Sequence, residues 1–475
     1  MSIRDEIVEN RRNRIARHGH SLGVHIPAQR NVPLVPFGQK PFLIAEVKRR
    51  SPSRGGIAPD VDPVEQVKLY RTHGVRNVSV LTEEDYFEGS LDDLLAVKTA
   101  CPDLAILRKD FILDPEDIDV SFRAGADAVL LIAAILPDER LVMLAREAER
   151  YGLSVLLEVH DEADVAKARR IAPPLVGINA RNLETFTIDP AAPLKLRRLI
   201  GWPARLVYES GIFSREDALV ALSAGFSGLL VGEAVMRNPA LGGELIDAFD
   251  WSGNDFWGKL YLREKGDGRP LVKVCGITNL EDAQAALDEG ADVLGFVLAD
   301  SPRHVTAAQL ERFQRIDALK VGVVVAGHEA VIDSDIACLL ERGIIHAVQF
   351  HGEEEPEYCC KAAFPYYKAI RAGTEADVQR IDHYRSVRVL VDAFQEGQPG
   401  GTGTVVAADL IEHARAKKPL WLAGGIGPGN VGEIISRFCP ELIDASSRLE
   451  RKPGKKDPKA LRAFFKEIER ASALS

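Results

Sequence analysis

The sequence predicts an α/β protein built as two tandem (β/α)8 TIM barrels, and three observations predict it. At 475 residues the chain is too long for one core, because domains usually run to about 100 to 200 residues and α/β barrels to roughly 250. Short runs of β-branched and aliphatic residues recur roughly every 20 to 35 residues, each followed by a stretch of helical composition. That is the rhythm of a strand and its crossover helix, not of hairpins. The rhythm also occurs twice, with an interruption near the middle of the chain.

The first series of strands is expected at 42–47, 77–81, 104–107, 128–131, 154–157, 175–178, 205–208 and 228–231. The second is expected at 271–274, 293–297, 321–325, 347–350, 366–370, 387–391, 420–423 and 442–444. Between them, residues 250–269 carry glycines and charges that break any sustained apolar period, so the boundary is expected at about residue 258, within some ten residues. Residues 1–258 then form one barrel and 259–475 the other. Residues 1–40 precede the first strand as a helical extension, in which Arg11, Arg12, Arg14 and Arg17 read first as a solvated helix face, with a lid or anion guide as the alternative.

Composition narrows the function. The net charge of −10 lacks the basic bias of a nucleic-acid binder, so phosphate affinity has to be local. Six cysteines with no CxxC spacing, five of them in the second half, argue against a disulfide framework and for the cytoplasm. No secretory leader and no run near the ~18 apolar residues of a membrane span is seen, so neither export nor a membrane partner is expected.

In a barrel the chemistry sits where strands end, so polar residues there carry more weight than elsewhere. In the first half they are crowded. Glu46 and Lys48 share one face of the first strand by alternation. Lys109 follows strand three, Glu158 ends strand five, Asn179 and Arg181 follow strand six, and Glu209 and Ser210 close strand seven. Any one could be a structural ion pair, but the set places carboxylates and amines in one mouth, where they shift each other's proton affinity. Gly211 and Gly232 stand after strands seven and eight, where barrels bind phosphate through main-chain N–H groups, and Ser51 could add a hydroxyl.

The second half opens with Lys273-Val274-Cys275, whose alternation puts Lys273 and Cys275 on one face. A lone cysteine ending a strand is ordinarily a small buried hydrophobe. Against that, a neighbouring ammonium is expected to lower the thiol's pKa and make it a base. Asp392 ends strand six of the same barrel as an acid. Gly401 and Gly403, Gly424 and Gly425, and Ser446 and Ser447 supply phosphate-binding groups. No His/Cys/Asp cluster has metal-ligand spacing, so no metal and no cofactor is expected.

The runs Ile44-Ala45-Glu46-Val47-Lys48-Arg49-Arg50-Ser51-Pro52-Ser53, Leu107-Arg108-Lys109-Asp110-Phe111, Leu157-Glu158-Val159, Gly177-Ile178-Asn179-Ala180-Arg181-Asn182-Leu183 and Glu209-Ser210-Gly211-Ile212 resemble indole-3-glycerol-phosphate synthase. The resemblance implies closure of an indole ring from 1-(2-carboxyphenylamino)-1-deoxyribulose 5-phosphate, with loss of CO2 and water. It implies Lys109 as general acid supported by Glu158, with Glu46 and Lys48 in dehydration and binding. Asn179, Arg181, Glu209 and Ser210 complete that pocket, and Ser51, Gly211 and Gly232 hold the phosphate. Glu233 departs from the small residue the family often carries there.

Lys273-Val274-Cys275-Gly276-Ile277-Thr278, Ser301-Pro302-Arg303, Gln349-Phe350-His351-Gly352, Val391-Asp392, the Gly400 run and Leu422-Ala423-Gly424-Gly425 resemble phosphoribosylanthranilate isomerase. That implies an Amadori rearrangement, with Asp392 as acid at the furanose oxygen, Cys275 as base at C2′ and Arg303 facing the anthranilate carboxylate. His351 is expected to line the pocket, and Arg448 stands where the family has a small residue. The isomerase's product is the synthase's substrate, so the two resemblances agree on tryptophan biosynthesis and on small phosphosugar-anthranilate substrates. The alternatives are another phosphosugar isomerase pair and an inactive phosphosugar-binding tandem barrel; oligomeric state stays open, a monomer being allowed.

Overall fold

The computed structural model describes residues 3–39, 41–51, 55–182, 185, 187–250, 255–264, 268–392 and 405–473. It divides into two compact units, residues 1–251 and 252–475. Each contains a closed eight-stranded parallel barrel.

In the first unit the strands are β1 Phe42–Val47, β2 Asn77–Leu81, β3 Ala105–Lys109, β4 Ala128–Ile132, β5 Ser154–Val159, β6 Leu175–Asn179, β7 Arg205–Glu209 and β8 Gly228–Val231. β1 pairs with β2 and β8, from Ile44 opposite Asn77 and from Phe42 opposite Gly228, which closes the sheet. The strand runs expected from sequence lie within two residues of these. Four of the expected runs stop short of a polar strand end. β3, β5, β6 and β7 continue through Lys109, Glu158, Asn179 and Glu209, so those side chains stand on the sheet itself.

Alternation decides what they face. Ile44, Ala105, Leu107, Leu156, Leu175, Val207 and Leu230 form one buried cluster inside the first barrel, with Phe37 and Phe42. Two residues further along the same faces come Glu46, Lys109, Glu158, Gly177, Glu209 and Gly232. The apolar layers thus end in a polar layer at the C-terminal mouth. Burying each such aliphatic side chain contributes about 1.5 to 3 kcal/mol, and this gives the mouth a rigid floor.

The N-terminal helix Ile3–His18 departs from the solvated reading. Arg12 and Arg17 are exposed, but Arg11 is only 3% exposed and pairs with Asp117 at 3.0 Å and Asp110 at 3.4 Å. Arg14 pairs with Glu84 and with Asp85 at 2.7 Å. Asp110 and Asp117 also receive hydrogen bonds, from Arg108 at 2.7 Å and from the Leu113 main chain at 3.0 Å, so the helix is tied to the segment that follows Lys109. Sequence position alone could not reveal those carboxylates as partners.

The second barrel has β9 Leu271–Cys275, β10 Val293–Val297, β11 Leu319–Val324, β12 Ala347–Phe350, β13 Tyr366–Arg371, β14 Val389–Asp392, β15 Trp421–Ala423 and β16 Leu442–Ala445. β14 starts two residues later than the sequence suggests, at the position after Arg388, whose guanidinium turns to Glu441 at 2.6 Å. The helix Phe256–Tyr261 belongs to this unit: Trp257 stacks near Trp421 and Tyr367, with ring centroids 5.8 and 6.5 Å away. No helix among the described residues is long and apolar enough to cross a membrane.

Candidate active sites

In the first mouth Lys109 is the centre. Its Nζ lies 2.7 Å from Glu158 Oε2 and 3.3 Å from Glu209 Oε2. Burial by itself would lower the ammonium's pKa, but the carboxylates of Glu158, Glu209 and Glu46 outweigh it and drive it up. Burial likewise acts to raise Glu158, yet Lys109 and His160 hold it well below the usual carboxylate range. Glu209 goes the other way. Burial first, and then the charge of Glu158, push it to about 8, and its Oε1 has no hydrogen-bond partner among the described residues. The two carboxyl groups on this lysine are thus pushed in opposite directions, the condition for one to support and the other to carry a proton.

Glu46 and Lys48 form a second pair, 2.7 Å apart, with Ser79 Oγ 3.4 Å from the other Glu46 oxygen. Gly232 adjoins them: a Cβ there would sit 2.8 Å from Glu46 Oε1 and 3.2 Å from Lys48 Nζ. Glu233 follows at the start of the helix Glu233–Arg237 and lies 3.2 Å from Arg237 Nε along that helix. Asn179 Oδ1 accepts the Arg181 main-chain N–H at 3.0 Å. Ser210 and Gly211 both take left-handed conformations, φ 67° and 82°, which only glycine adopts without strain. Ser51 lies on a two-residue ribbon strand paired with Gly55, and its side chain is outside the described residues.

Two residues of this site escaped the sequence reading. His160 Nε2 is 3.0 Å from Glu158 Oε1 and its Nδ1 is 3.4 Å from Asp164 Oδ2. Burial opposes its charge, but the two carboxylates raise it to about 9. Gly177 makes room for Glu209: a Cβ on it would lie 1.9 Å from Glu209 Oε1. Alternation was the available signal, since each stands two residues from a residue already assigned to the mouth.

In the second mouth Cys275 and Lys273 do share the interior face, but the expected lowering of the thiol pKa is not found. Burial pushes the Cys275 thiol up, and Lys273 does not overcome it. The reason is that Lys273 Nζ is already engaged, 2.5 Å from Asp444 Oδ2 and 2.9 Å from Gln349 Oε1, with Tyr367 donating to the same amide oxygen at 2.9 Å. A buried polar layer thus lies beneath the thiol, and Asp444, Gln349 and Tyr367 were not foreseen. Gly295 on β10 leaves space for it, since a Cβ there would meet Cys275 Sγ at 2.7 Å and Lys273 Cε at 2.9 Å.

Asp392 ends β14 with His351 Nε2 3.4 Å from its Oδ2, and its Oδ1 has no hydrogen-bond partner among the described residues. His351 Nδ1 in turn lies 2.7 Å from Gln349 Nε2. Arg303 is paired with Glu450. Gly424 and Gly425 turn out of β15 with φ 101° and 60°, and Ser446 Oγ donates to the Cys275 carbonyl at 3.1 Å. Ser447 opens a 3-10 turn that includes the exposed Arg448, whose Cβ would be 2.5 Å from a Cβ on Gly427. Gly401 and Gly403 lie outside the described residues.

Among the described residues one group, His20, Asp114 and Asp117, clusters closely enough to suggest a cation. It does not offer free ligands: Asp117 Oδ1 already faces Arg11 at 3.0 Å and His20 at 3.1 Å, and its Oδ2 caps two main-chain N–H groups.

Residues 6–245 match the family model for indole-3-glycerol phosphate synthase, and residues 272–467 match that for N-(5'-phosphoribosyl)anthranilate isomerase. A multifunctional tryptophan biosynthesis protein of Phycomyces blakesleeanus is 32% identical over 522 residues, covering 96% of this chain and 66% of that protein. The chain thus spans just under two thirds of that relative. A tryptophan biosynthesis protein of Phytophthora nicotianae is 31% identical over 470 residues, covering 86% of this chain and 87% of its own length. An indole-3-glycerol phosphate synthase of Albidiferax ferrireducens is 44% identical over 210 residues, 44% of this chain and 79% of that enzyme. With one family matched on each barrel, the chain belongs to the indole-3-glycerol phosphate synthase family in its first unit and to the N-(5'-phosphoribosyl)anthranilate isomerase family in its second.

Proposed function

We propose that the chain catalyses two successive reactions of tryptophan biosynthesis, isomerisation in the second barrel and indole formation in the first. The observation that carries this reading is the separate acid–base set at each mouth: Lys109 between Glu158 and Glu209 in one, Cys275 and Asp392 in the other.

In the second barrel N-(5'-phosphoribosyl)anthranilate is held by its phosphate at Gly401, Gly403, Gly424, Gly425, Ser446 and Ser447, and by its carboxylate at Arg303. Asp392, with Oδ2 facing His351, gives a proton from Oδ1 to the furanose oxygen. The ring opens to an imine, Cys275 takes the C2′ proton in its thiolate form, which burial makes the minor form of this thiol, and the enol so formed becomes the ketone on protonation at C1′. In the first barrel Lys109 protonates that ketone oxygen as the aromatic carbon attacks, and CO2 leaves from the same aromatic carbon. Glu46 and Lys48 serve the loss of water. Glu209, whose proton affinity burial raises, is a second proton carrier. Ser51, Gly211 and Gly232 hold the phosphate, and Asn179, Arg181 and Ser210 shape the pocket. Every step is a proton transfer or bond rearrangement, so neither site calls for a metal or organic cofactor.

The test is separation of the activities in the full chain. Cys275→Ala or Asp392→Asn lowers isomerase turnover by about 100-fold or more and leaves the synthase intact; Lys109→Ala does the reverse. Anthranilate-type fluorescence during turnover reads both. Loss of both activities from Cys275→Ala in a folded protein defeats the two-site assignment.

A further inference from the structure

One buried ion pair of the second barrel has no part in that chemistry. After β16 the chain forms a short antiparallel ribbon in which Glu450 lies opposite Lys456. Both side chains turn inward, Glu450 3% and Lys456 1% exposed. Glu450 takes Arg303 from the side: Arg303 Nε is 3.0 Å from each carboxylate oxygen and Nη2 is 2.8 Å from Oε2. The Arg303 stem passes Gly276, whose φ is 78°, so closely that a Cβ there would lie 2.7 Å from its Cδ. Lys456 Nζ then joins Glu450 Oε1 at 2.9 Å to the Cys275 carbonyl at 2.5 Å and the Ser446 carbonyl at 3.3 Å.

A guanidinium has five N–H donors in a rigid plane, and side-on pairing through Nε and one Nη2 hydrogen uses only its rear edge. Nη1 and the other Nη2 hydrogen remain as a forward fork, the geometry that grips a planar carboxylate through two parallel bonds. Arg303 is 23% exposed while its partner is buried, and among the described residues no hydrogen bond engages Nη1.

We propose that Glu450 is the positioning residue that aims Arg303 at the substrate's aryl carboxylate, and that through Lys456 the same ribbon holds this arginine in register with the Cys275 main chain. Selection of a carboxylate-bearing aglycone is therefore set by a residue that does not touch it. The proposal rests on the reading of Arg303 as the carboxylate's partner.

The experiment compares two substrates in the full chain, N-(5'-phosphoribosyl)anthranilate and its carboxylate-free aniline analogue, for the wild type, R303M and E450Q. Glu450→Gln keeps the shape but removes the charge that orients the guanidinium. It should raise KM for the anthranilate substrate about tenfold, the loss of one charge-assisted contact, and leave KM for the aniline analogue within about threefold of the wild type. E450D, which keeps the charge and draws the fork back by one methylene, carries the same comparison if E450Q does not fold, as judged by circular dichroism. An unchanged preference in a folded E450Q or E450D overturns the proposal, and so does an equal loss on both substrates, which is what a merely structural pair would give. If R303M also keeps the wild-type preference, the assignment of Arg303 fails and the proposal with it.

Discussion

At the scale of single residues, Lys109 ends the third strand of the first barrel and Cys275 the first strand of the second, and the two meet opposite surroundings. Lys109 is stabilised as a cation by two carboxyl groups, while Cys275 is kept neutral by burial beside an ammonium that Asp444 has already neutralised. Glycines set the fine geometry. Gly177→Ala would drive a methyl group into Glu209 Oε1 and turn that carboxyl away from Lys109. Because a displacement of about 1 Å in a catalytic group can cost 100-fold, synthase kcat should fall by about that factor with isomerase activity unchanged. Steady-state kinetics on each half-reaction checks this; a folded variant with full synthase activity would show that Glu209 can relocate freely. The charged residues at the strand ends were readable because their types are unusual on a barrel strand. Gly295, Asp444 and Gln349 were not, because a glycine or a single polar residue has meaning only once its neighbour across the barrel is known.

At the scale of elements, both mouths depend on segments that lie outside the eightfold repeat. The helix Ile3–His18 is anchored by Arg11, which reaches two carboxylates in the segment after Lys109. Arg11→Met leaves Asp117 buried with one cation fewer, and removing one partner of a buried pair typically costs about 3 kcal/mol. The expected result is a loss of hydrogen-exchange protection across residues 3–18 and the segment after Lys109; unaltered protection would mean that Ile7, Val8 and the Arg14 ion pairs hold the helix without Arg11. Periodicity could find this helix and count its arginines. It could not separate buried Arg11 from exposed Arg12, because that depends on where Asp110 and Asp117 lie in space.

At the scale of the molecule, each unit has a sheet that closes on itself and leaves no strand edge to be satisfied elsewhere. Residues 1–251 and 252–475, expressed separately, should each fold and keep their own activity. The cut belongs before the helix Phe256–Tyr261, because Trp257 packs against Trp421 and Tyr367 and a break at 258 would strip that face from the second barrel. Circular dichroism and the two half-reaction assays decide it, and a folded fragment that turns over only when the other is added would show a site built from both. The eightfold repeats and the strand-end acids and bases were determined by the sequence alone, since strand length, alternation and residue type are local properties. The proton affinities of Lys109, Glu158, Glu209 and Cys275 were decided only by the tertiary structure. Burial and the second or third charge within about 4 Å fix proton affinity, and those neighbours, such as Asp444 beside Lys273 or His160 and Lys109 around Glu158, converge from separate strands or take their orientation from the folded mouth.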